Sequence, residues 1–146
     1  IGADHRGFEL KEKIKQYLQE RDIALEDLGA HEFNRDDDYP DFALAAAKKV
    51  AENPEENRGI LMCGSGMGMD VAANKVKGVR ATVAYSKDSA RHARANDNIN
   101  VITLAADALR EGEAREIVDI FLRTEFSGEE RHKRRLKKIE EIEKER

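Results

Sequence analysis

Residues 58–76 read RGILMCGSGMGMDVAANKV, and their order decides the fold. Residues 59–63 are small or apolar without interruption, the pattern of a strand buried on both faces. The chain then breaks into Gly64-Ser65-Gly66-Met67-Gly68, and a helical run over 69–74 follows at once. A strand, a glycine-rich turn and a helix in that order make a pocket out of backbone. Glycine permits a tight turn and close approach of a ligand. The helix that follows aims unpaired N–H groups and a positive dipole end at the pocket. Cys63, the only cysteine in the chain, stands at the mouth of this turn.

The rest of the chain fits around that unit. At 146 residues it is long enough for one domain with a sizeable core. A composition of 40% hydrophobic and 38% charged residues predicts a globular, helix-rich protein rather than a disordered one. No apolar run approaches ~18 residues, so no membrane span is expected. A net charge of −4 gives no reason to expect a nucleic-acid partner, although residues 131–138, RHKRRLKK, carry six Lys or Arg and no acid. A single cysteine forms no internal disulfide, and no secretory signal is visible; both fit a cytoplasmic location. The first residue is Ile1 rather than methionine, so a short N-terminal piece is expected to precede it.

Along the chain, strands and helices alternate. Residues 1–3 read as the end of a first strand, 23–28 as a second, 58–63 as the third, 79–85 as the fourth and 100–105 as the fifth. Between them, Phe8, Leu10, Ile14, Tyr17 and Leu18 recur at helical spacing, and 41–53 is an alanine-rich helix. Ser86 is a candidate N-cap for a helix to about Ala95. Residues 111–124 form a helix with Ile117, Val118, Ile120 and Phe121 on one face. The pattern predicts an α/β fold: a three-layer sandwich with a five-stranded parallel sheet and helices on both faces. A last helix over 129–146 has few apolar residues, namely Leu136, Ile139 and Ile142. It reads as a helical arm, residues 128–146, packing on a partner subunit. In a parallel sheet ligands bind beyond the carboxyl ends of the strands. Asp4-His5, the Cys63 turn, Tyr85-Ser86 and Ala106-Asp107 all lie at such ends, so they can converge on one crevice.

Three familiar turns fail on spacing. A Walker loop needs Lys-Ser/Thr after its glycines, and none follows here. In G-x-G-x-x-G the third glycine stands one residue later than Gly68 does. A nucleophile elbow, G-x-S-x-G, needs its serine two residues from each glycine, but Ser65 has Gly64 and Gly66 as immediate neighbours. What remains is a small anion hole beside a thiol. A thiolate there would be stabilised by the turn's N–H groups and could remove a proton next to a carbonyl, with the same N–H groups holding the developing enediolate oxygen. On position alone, Cys63 reads more readily as a core residue ending a buried strand. Asp36-Asp37-Asp38 reads as a solvent-facing acid run rather than a metal site, and Met62, Met67 and Met69 read as packing.

Taken together, GADHRGFELKEKI at 2–14, DDDYPDF at 36–42, residues 59–81, NVITLA at 100–105 and RHKRR at 131–135 resemble the ribose-5-phosphate isomerase B family, which includes the galactose-6-phosphate isomerase subunits. The resemblance runs nearly end to end. It implies a Rossmann-like fold, a single sugar-phosphate isomerase domain over 1–146 and a homodimer, sometimes paired into a tetramer, with the site at the subunit interface. It implies aldose–ketose isomerisation through a cis-enediol without metal or organic cofactor. By matching position, Cys63 would be the base, assisted by Ser65, with Gly64, Gly66 and Gly68 forming the anion hole. Asp4, His5, Arg6, Asn74 and Asp97 would contact the sugar, and Arg131, His132 and Arg135 would hold its phosphate. Members that use a glutamate after the turn differ from this chain, which has Met69 there.

Two positions depart from the family pattern. The histidine that usually helps open the sugar ring aligns with Asn96, and an amide does not shuttle a proton at neutral pH as imidazole does. His92, four residues earlier and on the same helical face, is the substitute expected from sequence. A usual phosphate-binding arginine aligns with Asp107, so Arg6 or Arg110 would have to restore the charge. These departures leave open the same chemistry on another sugar phosphate, such as a hexose 6-phosphate, or a non-catalytic sugar-phosphate-binding module.

Overall fold

The computed structural model describes residues 1–145. The strand read from 59–63 is β2, Gly59–Cys63, and all five of its residues are buried. It lies between β1 (Gly2–Ala3) and β4 (Val101–Ala105), and β3 (Ala81–Val83) completes the order β1-β2-β4-β3. All pairings are parallel, with Cys63 opposite Ala105 at the carboxyl end.

Alternation along β2 sorts its side chains to two cores. Ile60 and Met62, with Ile102 and Leu104 of β4, join the core built by α1 (Phe8–Gln19), α4 (Lys87–Asp97) and α5 (Glu111–Arg123). Leu61 and Cys63 join the opposite core, covered by α2 (Tyr39–Ala51) and α3 (Met67–Ala73). Small residues on α2, Ala43, Ala46 and Ala47, let it lie close to the sheet. On the other face the buried side chains are larger, and Ile117 and Phe121 each contribute about 1.5–3 kcal/mol by leaving water.

The expectation of five strands is corrected to four. Segment 23–28 does run beside β1. Leu28 N–H donates to Ile1 O at 2.9 Å, Ala3 N–H to Gly29 O at 2.8 Å and Ala30 N–H to Ala3 O at 2.7 Å. Ala3 bonds both groups of a single peptide, Gly29 O and Ala30 N–H, where a parallel ladder would have its two bonds straddle a residue, so no regular ladder forms. The strand expected over 79–85 is likewise confined to three residues. Arg80 N–H is taken by the Asn100 side chain (2.8 Å), and Ala81 N–H by the Asn74 side chain (2.9 Å).

Ser86 is the N-cap of α4, as its sequence implies: its hydroxyl accepts from Ser89 N–H, and the Ser89 hydroxyl accepts from Ser86 N–H. The last helix is α6, Glu130–Lys144. His132 and Leu136 are its buried residues, whereas Ile139 and Ile142 are exposed. Arg146, where the sequence reading ended this helix, lies outside the described residues. No helix among the described residues is long and apolar enough to cross a membrane.

Candidate active site

The site is built from the chain crossing at the carboxyl ends of β1, β2 and β4. Cys63 is 5% exposed. Its Sγ accepts a hydrogen bond from Gly66 N–H at 3.1 Å, so the turn folds back on the thiol. Gly66 has φ of 77°, the left-handed region that an L side chain enters at a cost. Ser65 is exposed at the tip, and its hydroxyl accepts from Met67 N–H at 3.3 Å. Met67 is exposed, while Met62 and Met69 are packed in the core, so the packing role read for all three holds for two. The turn is clamped from β4: Ala106 N–H donates to Cys63 O and Asp107 N–H to Gly64 O, at 2.9 and 3.0 Å.

The loop after β1 forms one wall. Gly7 lies so close to β2 that a Cβ there would stand 2.3 Å from Met62 O, and only glycine allows the approach. Asp4 is buried, and its Oδ1 accepts from Arg6 N–H and Gly7 N–H at 3.0 and 3.1 Å. Burial pushes the Asp4 carboxyl above its ordinary range, against the pull of those N–H donors. Arg6 reaches across Gly64 and pairs with Asp107. A side chain on Gly64 would meet Arg6 Nε at 2.7 Å, and one on Gly68 would meet the Tyr39 ring at 2.7 Å. The turn is thus bounded by Arg6 and Asp107 on one side and Tyr39 on the other.

Arg6 and Asp107 are 58% and 51% exposed, so their pair adds under ~1 kcal/mol to stability. Asp107→Asn is therefore expected to shift the melting temperature by less than ~4 °C in calorimetry. A larger fall would make the pair a structural clamp.

His5 belongs to the same wall. Its Nδ1 is 2.7 Å from Asp37 Oδ1, which also accepts His5 N–H at 2.9 Å. The Asp37 side chain is 9% exposed, so the acid run at 36–38 is not uniformly solvent-facing. Its middle residue turns inward to a histidine 32 positions away. Asp4, His5 and Asp37 bring three donor atoms within 4.8 Å of one another, two of them already joined in that hydrogen bond. Asp37 and Tyr39 are the site residues that sequence reasoning missed. The signal available for them was the DYP stretch that opens α2.

Other expected site residues stand elsewhere within this chain. Asn74 is at the far end of α3, with its amide engaged by Asp70 and by both backbone groups of Ala81. His92 and Asn96 do share a face of α4, at 3.2 Å, and Asp97 ends that helix exposed. None of the three hydrogen-bonds to the Cys63 turn. Arg131 and Arg135 are exposed on α6. His132 is 4% exposed, with Nδ1 at 2.7 Å from Ser127 Oγ. Arg110 precedes α5, and its N–H donates to Glu113 at 2.8 Å.

Residues 1–139 match the family model described as Ribose/Galactose Isomerase. The chain belongs to the ribose/galactose isomerase family. Within that family it is 45% identical to the probable ribose-5-phosphate isomerase B of Mycoplasma genitalium, over 99% of this chain and 95% of that protein. It is 40% identical to ribose-5-phosphate isomerase B of Mycobacterium tuberculosis, over 99% and 88%. Among solved structures of the family, the Mycoplasma genitalium enzyme with bound ribulose 5-phosphate superposes with a TM-score of 0.96 at 44% identity, covering 99% and 95% of the two chains. The type B ribose 5-phosphate isomerase of Trypanosoma cruzi gives 0.92 at 39% identity, covering 99% and 97%.

Proposed function

We propose that this protein interconverts ribose 5-phosphate and ribulose 5-phosphate through a cis-enediol, with Cys63 as the base. The observation that carries this reading is the Cys63 turn itself, in a chain that matches the ribulose-5-phosphate-bound relative over nearly its whole length. In the open-chain aldose, the thiolate takes the C2 proton. The C–H electron pair forms the C1–C2 double bond, and negative charge moves to O1, toward the N–H groups of Gly64 and Ser65. The thiol then returns the proton to C1 while the O2 proton passes to O1, leaving a ketone at C2. Gly66 N–H already donates to Sγ, which fixes the sulfur against the turn.

In the same reading Asp4, His5 and Arg6 contact the sugar. Arg131, His132 and Arg135, together with His92, Asn96 and Asp97, reach the substrate in a homodimer, supplied across the interface by the second copy. The exposed Ile139 and Ile142 of α6 would be covered in that assembly. Asn74 acts through the fold, by fastening α3 to β3. A lone thiol working as a base suits a reducing cytoplasm.

The test is an initial-rate panel of ribose 5-phosphate against hexose 6-phosphates. A strong preference for ribose 5-phosphate is expected. Preference for a six-carbon substrate would move the assignment to the galactose side of the family, and no turnover of any would leave a sugar-phosphate-binding module.

A further inference from the structure

Part of the turn's hydrogen-bonding capacity is already spent. Gly66 N–H is taken by Cys63 Sγ and Met67 N–H by Ser65 Oγ, at 3.1 and 3.3 Å. Beside Cys63 that leaves the N–H groups of Gly64 and Ser65, both neutral donors. Arg6 brings a full positive charge to the same place. Its own N–H donates to Asp4 Oδ1 at 3.0 Å, which fixes its backbone in the loop after β1. Its side chain then crosses the turn so closely that a Cβ on Gly64 would stand 2.7 Å from Nε and 2.9 Å from Cζ. The side chain is 58% exposed, so a ligand can reach it. A guanidinium carries five N–H donors. Asp107 accepts from Nη2, and no other group among the described residues accepts from the side chain. Asp107 is itself tied to the turn, because its N–H donates to Gly64 O at 3.0 Å. An arginine side chain has much rotamer freedom to lose, and the pair with Asp107 limits that freedom before substrate arrives.

We infer that Arg6 is a catalytic residue that donates from its guanidinium to the enediolate oxygen, and that Asp107 is the positioning residue that holds it over Gly64. This inference rests on the isomerase reading above and deepens it. As the C2 proton leaves for Cys63, O1 becomes negative, and Arg6 adds a charged donor beside the N–H groups of Gly64 and Ser65. A charge-assisted bond strengthens as its acceptor becomes anionic, so it lowers the barrier more than it tightens the substrate. No bond is made or broken at Arg6, and the proton stays with Cys63. The carboxylate of Asp107 is half exposed, so its repulsion of the oxygen is screened by water, whereas a donor in contact with the oxygen is not.

Steady-state kinetics of three variants test it. Arg6→Gln is expected to lower kcat at least about tenfold with KM within about twofold, a smaller loss than that of a buried oxyanion donor because Arg6 is half exposed. The equilibrium between the two sugars is fixed, so kcat/KM should fall by the same factor from ribose 5-phosphate and from ribulose 5-phosphate. Asp107→Ala should lower kcat about threefold or more when Arg6 is present, and the double variant should be no slower than Arg6→Gln alone. Melting curves record that the variants stay folded. A raised KM at unchanged kcat would place Arg6 on the phosphate, which is held alike in ground and transition states, and would overturn the inference. So would wild-type kinetics in Arg6→Gln, or an effect of Asp107→Ala that persists without Arg6. A wild-type protein that isomerises no sugar phosphate would instead remove the isomerase reading beneath it.

Discussion

Cys63→Ala is expected to reduce isomerase turnover at least ~1,000-fold, with KM little changed and the fold intact. The size follows from removing the group that carries the proton, since positioned acid–base groups are worth about 10²–10⁴ in rate. The side chain is small, so its loss opens little space between β2 and the helices α2 and α3. The main structural loss is the acceptor for Gly66 N–H, for which ~1–2 kcal/mol is the expected scale. Cys63→Ser separates chemistry from structure, because it keeps an acceptor for Gly66 and removes the thiolate. Wild-type melting with no turnover in Cys63→Ser would place the defect in the chemistry. Full activity in Cys63→Ala would return the cysteine to the core role that its position alone allows.

Asp27→Ala is expected to cost about 3–5 kcal/mol of stability, the largest effect outside the site, because it leaves the buried Lys11 ammonium with only the more exposed Glu12 carboxylate, at 3.0 Å, as its partner. Lys11 lies on the core side of α1 and is fully buried. Its Nζ meets both Asp27 oxygens at 2.8 and 2.7 Å; Lys15 Nζ adds a third bond at 2.9 Å and Gly29 N–H a fourth at 3.0 Å. Burial by itself would raise the Asp27 carboxyl. The bonds from Lys11, Lys15 and Gly29 more than reverse this and hold it far below the usual carboxylate range. A depressed folded-state value means the contribution is complete above the ordinary carboxylate value and is lost as pH falls below it. Melting temperatures recorded from pH 7 downward should therefore drop steeply below about pH 5 in wild type and less steeply in Asp27→Asn. Parallel curves would show that this network does not govern acid stability.

How far the sequence could be read depended on whether the deciding contacts were local. β2 and the turn after it were legible because five buried residues and three glycines stand side by side. Ser86 was legible because a cap is a local device. Segment 23–28 was misread because its apolar residues suit a strand, while Ala3 bonds both groups of the one peptide that follows it, Gly29 O and Ala30 N–H, which no periodicity displays. Lys11 breaks the apolar stripe of α1, and only the loop carrying Asp27 explains it. The same holds within the site. The thiol and its turn form one contiguous stretch, whereas Asp37 meets His5 through packing of the loop before α2, and three consecutive aspartates give no sign of which one turns inward.

The sheet order has a consequence for how the protein loses activity on warming. Cys63 ends a strand paired on both sides, so its backbone opens only with global unfolding, and the β2 amides should be among the last to exchange with deuterated solvent. Asp37 sits in a stretch, 31–38, whose other residues are all exposed, and such segments open locally at far lower free energy. The base is thus anchored in the most persistent part of the molecule and the carboxylate that orients His5 in one of the least. Amides of 31–38 should exchange well ahead of those of β2, and turnover of ribose 5-phosphate should fall away several degrees before the sheet melts.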